Sequence, residues 1–321
     1  MLYYYISYIQ FHLNLKFEFS VTDSSIVYLV IKILKISRLF FDQRNISLCQ
    51  AYIQNVIKRD YENFLCTLLL PNNIKAAGFA IRAFNVEIAQ VEDQISIKHI
   101  GIMRLQFWKE TLNRIYDGMP SETPVALELH RILQKHKLSK RYFKRLIDAR
   151  LDKLEKSTFP NIQAVENYAE STVSSIYYLL LEAHGTKNIK ADHAASHLGK
   201  AQGIVTLLRS IPYHAQKRVI VLPEDILMKH NISSESVLRN VKNTALNDVI
   251  FEVASCAKQH VEEVLCLYYT KSIFLPIICI ENYLEELRKT DFDIFHPRLV
   301  RRNGFLPLQL LWRKITDKFS K

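Results

Sequence analysis

From Leu48 onward apolar residues recur at helical spacing. Ile74, Ala77, Gly78, Ile81, Phe84, Ile88 and Val91 follow the i, i+3, i+4, i+7 pattern of one helical stripe, and Pro71 marks its start. A second helix carries Ile100, Met103, Phe107, Leu112 and Ile115 on a wide apolar face. It ends near Gly118 and Pro120, which both disfavour continuation. The same periodicity predicts helices over 125–136, 140–156, 162–184, 191–209, 245–269, 277–288 and 308–319. Asn161 fits the N-cap and Gly185 the C′ position of the helix between them. Between Arg209 and Ala245 the pattern breaks. Pro212, Pro223 and the β-rich stretch 219–222 predict a structured loop packed against the helices. No repeat, low-complexity tract or linker divides this region, so the reading is all-α, one large helical bundle over 48–321.

Composition supports helices over strands. The 321 residues hold only 7 glycines and 9 prolines, fewer than many short strands and tight turns need. Hydrophobic residues at 49% and charged ones at 23% are the balance of a folded core, not of a disordered chain.

The net charge of +11 suits an anionic membrane surface, a phosphorylated ligand or nucleic acid. Bases and acids are interleaved, as in Lys135, His136 and Lys137 followed by Asp148 and Asp152. With no basic block and no nucleic-acid motif, a nucleic-acid partner is not expected. Cys49, Cys66, Cys256, Cys266 and Cys279 form no CxxC pair and are odd in number, which fits free thiols. The most apolar run, 26–36, is interrupted by Lys32 and Lys35 and is too short and too charged to span a bilayer.

Residues 1–47 form an N-terminal extension. The part from Met1 to Gln43 is rich in Tyr, Phe, Ile and Leu and suits a mitochondrial targeting segment. Glu18, Asp23 and Asp42 depart from the acid-poor composition of such segments, and an uncertain gene start accounts for the stretch equally well.

Three stretches, in order, resemble the squalene/phytoene synthases. Residues 79–93, with Arg82, Glu87, Glu92 and Asp93, resemble the first aspartate-rich helix of that family. Residues 146–152 and 168–174, with Arg150 and Tyr168, resemble its middle helices. Residues 198–210, with Gln202 and Arg209, then Arg218 and 222–225, resemble the second aspartate-rich motif and the loop after it. The resemblance implies an isoprenoid-synthase bundle in which two facing helices hold magnesium ions against a diphosphate leaving group. Hard carboxylate oxygens are needed because negative charge develops on the departing oxygens.

Here the aspartate pairs are broken. At the first motif the paired positions are Ala89 and Asp93, and at the second they are Ser210 and His214 with Pro212 between them. Neither a hydroxyl nor an imidazole is an anionic oxygen ligand, so no metal site, catalytic residue or cofactor is expected. Arg82, Tyr168, Gln202, Arg209 and Arg218 match positions facing or bordering the family's cavity and are candidates for a residual lipid or anion site. The alternative for all five is helix packing and salt bridges.

Within the family, stretches 59–71, 82–87, 103–108, 191–205 and 291–297 resemble most closely the mitochondrial branch that assists assembly of respiratory complex I. That resemblance implies a non-catalytic, synthase-like protein on the matrix side of the inner membrane. Its partners would be complex I subunits or assembly intermediates, with the membrane surface or a lipid as a further partner. The alternative is an active prenyl diphosphate transferase.

Two other features are open at the level of sequence. His193 and His197, four apart, are either a metal pair or surface and capping histidines. Residues 290–297 mix acids and aromatics, as either a partner-binding edge or a packed connection between helices.

Overall fold

The structure, a computed structural model, describes residues 46–95, 97–156, 158–239, 244–267 and 272–319. The segments 1–43 and 26–36 discussed above lie outside the described residues, as does the side chain of Cys49. The described residues are helical, with no strand among them.

In chain order the helices are α1 (Ile46–Arg59), α2 (Tyr61–Leu68), α3 (Asn72–Asp93), α4 (Lys98–Tyr116), α5 (Pro124–Leu133), α6 (Lys140–Lys156) and α7 (Ile162–Ala169). A π-helical turn (Glu170–Ser174) leads straight into α8 (Ser175–His184). After it come α9 (Ile189–Gln216), α10 (Glu224–Lys229), α11 (Ser234–Leu238), α12 (Thr244–Cys266), α13 (Pro276–Lys289) and α14 (Leu306–Phe319). They belong to one compact unit.

Local chemistry sets several ends. Pro71 sits just before α3, where its missing N–H costs nothing. The Asn161 side chain accepts from the Ala164 N–H at 2.9 Å, and Gly185 ends α8 at φ 75°, a left-handed conformation that glycine adopts without strain. Asn188 caps α9 in the same way as Asn161 caps α7.

The core begins with the α3 stripe: Ile74, Ala77, Ile81, Phe84, Ile88 and Val91 are all buried. The Phe84 ring lies edge-on to Trp108 of α4 at 5.6 Å and to Phe143 of α6 at 5.3 Å, which ties three helices together. Across the bundle, α9 approaches the π turn closely. A Cβ on Gly199 would fall 2.5 Å from the Ser174 backbone, and one on Gly203 would fall 2.3 Å from the Ala169 Cβ. Only glycine permits that approach.

Three expectations are corrected. The helix read as ending at Arg209 continues through Pro212 to Gln216. Pro212 removes one backbone bond near the helix end, while Ile211 and Ala215 on either side are buried and hold the last turn in place. The structured loop read between Arg209 and Ala245 holds two short helices, α10 and α11, and the stretch 219–222 precedes them beside a bridge between Phe159 and Pro223. The wide apolar face of α4 is split. Leu112 and Ile115 are buried, whereas Ile100, Met103 and Phe107 are 42%, 56% and 52% exposed.

Candidate functional site

A cavity of about 500 Å³ opens between α3, α6, the α7–α8 segment and α9. On α3, Arg82, Ala89 and Asp93 share the face that borders it; on α9, Gln202, Ser210 and His214 do the same. Helical spacing alone therefore brings all four broken-motif positions, Ala89, Asp93, Ser210 and His214, to one cavity. Tyr168 lies on its wall, with its ring 5.5 Å from Phe159.

The polar groups are mostly engaged. Buried Arg82 places Nη1 3.8 Å from an Asp60 carboxylate oxygen and its guanidinium 5.7 Å over the Tyr177 ring, while its Nε has no hydrogen-bond partner. Tyr177 donates its hydroxyl to Gln202 Oε1 at 2.5 Å, and Gln202 Nε2 donates to Asn63 Oδ1 at 3.0 Å. Arg150 donates to Asn85 Oδ1 and to the Leu146 carbonyl, each at 2.7 Å.

Burial pushes the Tyr168 phenol up and weighs against charge on Arg150 and Lys153; the Glu92 carboxylate acts in favour of both cations. Arg59, Asp60, Glu92, Arg150 and Lys153 also border the cavity and were not among the five cavity candidates drawn from sequence. For two of them a signal was present: Arg150 and Lys153 recur at helical spacing along the α6 face that also carries buried Leu146.

A magnesium-diphosphate site of the synthase type does not fit this donor set. Asp93 Oδ1 accepts from the Tyr213 hydroxyl at 2.8 Å and faces the Lys217 ammonium at 3.5 Å, so this oxygen already has cationic and hydroxyl partners. Ser210 spends its hydroxyl on the Leu207 carbonyl at 2.7 Å. Ala89 has no donor atom. Burial holds His214 below the ordinary imidazole range, with Glu92 and Asp93 pulling it up and Lys153 and Lys217 pulling it down. Among the described residues no group of three or more His, Cys, Asp or Glu side chains is placed to hold a metal ion.

Two of the five cavity candidates lie elsewhere. Arg209 forms a two-pronged pair with Glu62, at 2.6 and 3.0 Å, and sits 5.4 Å over the Tyr283 ring beside a separate, smaller pocket. The helix extension through Pro212 carries Arg218 past the bundle end, where its side chain is 74% exposed and 3.5 Å from Glu235. The segment at 290–297 is a packed connection: Phe292 lies edge-on to Phe251 at 5.0 Å, and the Asp291 carbonyl accepts from Asn247.

His197 does not meet His193. It faces His260 of α12, Nδ1 to Nδ1 at 2.9 Å, and His260 Nε2 lies 3.3 Å from Glu166. That contact accommodates one shared proton and not two. Burial and the His260 charge hold His197 below the imidazole value of 6.5. Because the folded values of His197 and His214 are depressed, the unfolded chain takes up protons first as the pH falls. The stabilisation is thus complete above 6.5 and is lost as the pH drops through the lower folded values. Thermal unfolding should show a midpoint that falls as the pH is lowered below 6.5, with a shallower slope for His197→Asn. Equal slopes would remove the His197 contribution.

The fold is that of the all-helical isoprenoid synthases. A solved structure described as a dehydrosqualene synthase in complex with ligand superposes with a TM-score of 0.71 at 15% identity, covering 86% of this chain and all of that one. Residues 56–304 match the squalene/phytoene synthase family, and the chain belongs to it. Nearer in sequence are two mammalian proteins, from Bos taurus and Homo sapiens, each named NADH dehydrogenase (ubiquinone) complex I, assembly factor 6. Each is 47% identical over 265 residues, covering 80% of both chains.

Proposed function

We propose that this protein is a mitochondrial assembly factor for respiratory complex I, acting at an early step as a synthase-like scaffold that does not perform the synthase reaction. The observation that carries this reading is the cavity itself: of its four motif positions only Asp93 is a carboxylate, and its Oδ1 already meets Tyr213 and Lys217. The 47% identity to the mammalian assembly factors supplies the role that a scaffold without magnesium chemistry can serve. The partners are complex I subunits or assembly intermediates, and the place is the matrix face of the inner membrane. No helix among the described residues is long and apolar enough to cross a membrane, which accords with attachment from one side.

Arg82, Tyr168 and Gln202 serve in this reading as the polar end of a residual ligand site. The unpartnered Arg82 Nε and the neighbouring Arg150 and Lys153 suit an anionic headgroup bound without magnesium, with Val173, Ile176 and Leu207 against its apolar part. Deleting the gene is expected to deplete mature complex I on native gels while the other respiratory complexes persist, with recovery on re-expression. Normal complex I in the deletion strain would contradict the proposal.

A further inference from the structure

Helix α4 has two apolar sides with different fates. Its inner side buries Leu105, Trp108, Leu112 and Ile115, and Leu105 reaches the cavity wall. Its outer side carries Ile100, Met103 and Phe107 in a row at i, i+3 and i+7, preceded by Ile97 in extended backbone at 57% exposure. Single exposed apolar residues are ordinary on a protein surface, but four large ones aligned along one helix are a docking feature.

The charge around the row narrows what it docks on. Helix α4 carries Lys98, Arg104, Lys109 and Arg114 against the single acid Glu110, and the neighbouring α6 carries seven Lys and Arg against three acids. Setting aside Arg150 and Lys153, which border the cavity, this helix pair still holds a net charge of +5, close to half of the chain's +11. Arg104 and Arg114 share the solvent side of α4 with the apolar row.

The geometry points to the outer face of α4 as the seat of the protein on an anionic lipid bilayer, with Ile97, Ile100, Met103 and Phe107 entering the headgroup and acyl boundary and the flanking bases on the phosphates. An apolar row bordered by arginines matches an interface that is apolar below and anionic above, and it matches neither plain water nor an apolar protein groove. The inference deepens the peripheral attachment proposed above and rests on it. Its consequence is spatial: α4 lies between the bilayer and the cavity wall at Leu105, a separation of about one helix diameter, roughly 10 Å.

The test is co-sedimentation of the full chain with vesicles of phosphatidylcholine alone and of phosphatidylcholine mixed with an equal part of phosphatidylglycerol. The wild type should bind the mixed vesicles, bind neutral ones weakly, and be released by salt. The double variant M103E/F107E should bind the mixed vesicles about tenfold more weakly or less, with unchanged circular dichroism and thermal midpoint because both positions are exposed. R104E/R114E should lose the preference for anionic vesicles. M228E, at a 70% exposed position on α10, should bind like the wild type.

Wild-type protein that ignores both vesicles, or M103E/F107E that binds as well as wild type, would overturn the assignment; the second result would give the row to a protein partner. The vesicle assay reads lipid and the deletion strain reads complex I, so the two failures are distinguishable.

Discussion

Replacing Gly199 by alanine should lower the free energy of unfolding by about 3 kcal/mol, at the upper end of the cost of overpacking a core. The added methyl would meet Ser174 at its Cα and N, 2.5 Å away, and these are backbone atoms that cannot rotate aside. Relief requires α9 to move away from the π turn. Ser174 would then lose its hydroxyl bond to the Ser196 carbonyl, and the Glu170 carboxylate would be pulled from Ser196 at 2.8 Å. Burial alone would push the Glu170 carboxyl up; hydrogen bonds from Tyr178 and Ser196 and the nearby Arg145 outweigh it and hold the group in its charged form. Denaturant unfolding of the wild type and the variant checks the magnitude. A variant within about 0.5 kcal/mol of the wild type would mean that the helices separate at little cost.

The second large effect is on turnover. Expelling diphosphate from an allylic carbon without held magnesium ions forgoes the electrostatic stabilisation on which a synthase depends. Enzymes typically accelerate their reactions about a millionfold or more, so this chain is expected to fall short of an active synthase by roughly that factor. The cause lies in the side chains and not in the scaffold. Asp93 Oδ1 is engaged by Lys217 and Tyr213, Ser210 is turned onto the Leu207 carbonyl, burial weighs against charge on His214, and Ala89 offers no oxygen. The cavity wall, in contrast, is rich in bases. Arg82, Arg150 and Lys153 border it, and direct ion pairing with an anion is the chemistry open to them.

What was legible in the sequence is what periodicity and capping encode. The α3 stripe from Ile74 to Val91 is buried as its spacing requires, and Asn161 and Gly185 stand at the ends their chemistry favours. The broken motif was legible through resemblance, because i, i+4 positions on a helix necessarily share a face.

Other features were hidden for identifiable reasons. The π turn at Glu170–Ser174 inserts into an unbroken helical pattern, and nothing in the apolar period marks it. Pro212 reads as a stop, yet the burial of Ile211 and Ala215 carries α9 on to Gln216 and swings Arg218 out of reach of the cavity. The wide face of α4 could not be divided by period, since an apolar stripe facing protein and one facing outward have the same spacing. Lys153 looks like a surface base in sequence but is 8% exposed, with its ammonium 4.4 Å over the Phe159 ring. His197 finds its partner 63 residues away, which i, i+4 reasoning cannot reach.

The central claim is that a synthase cavity persists here without the chemistry that released diphosphate. The measurement is diphosphate release by the purified full chain from farnesyl and geranylgeranyl diphosphate across a magnesium titration. The account predicts release no faster than in protein-free controls at every magnesium concentration. Magnesium-dependent release that disappears in Asp93→Asn would contradict it.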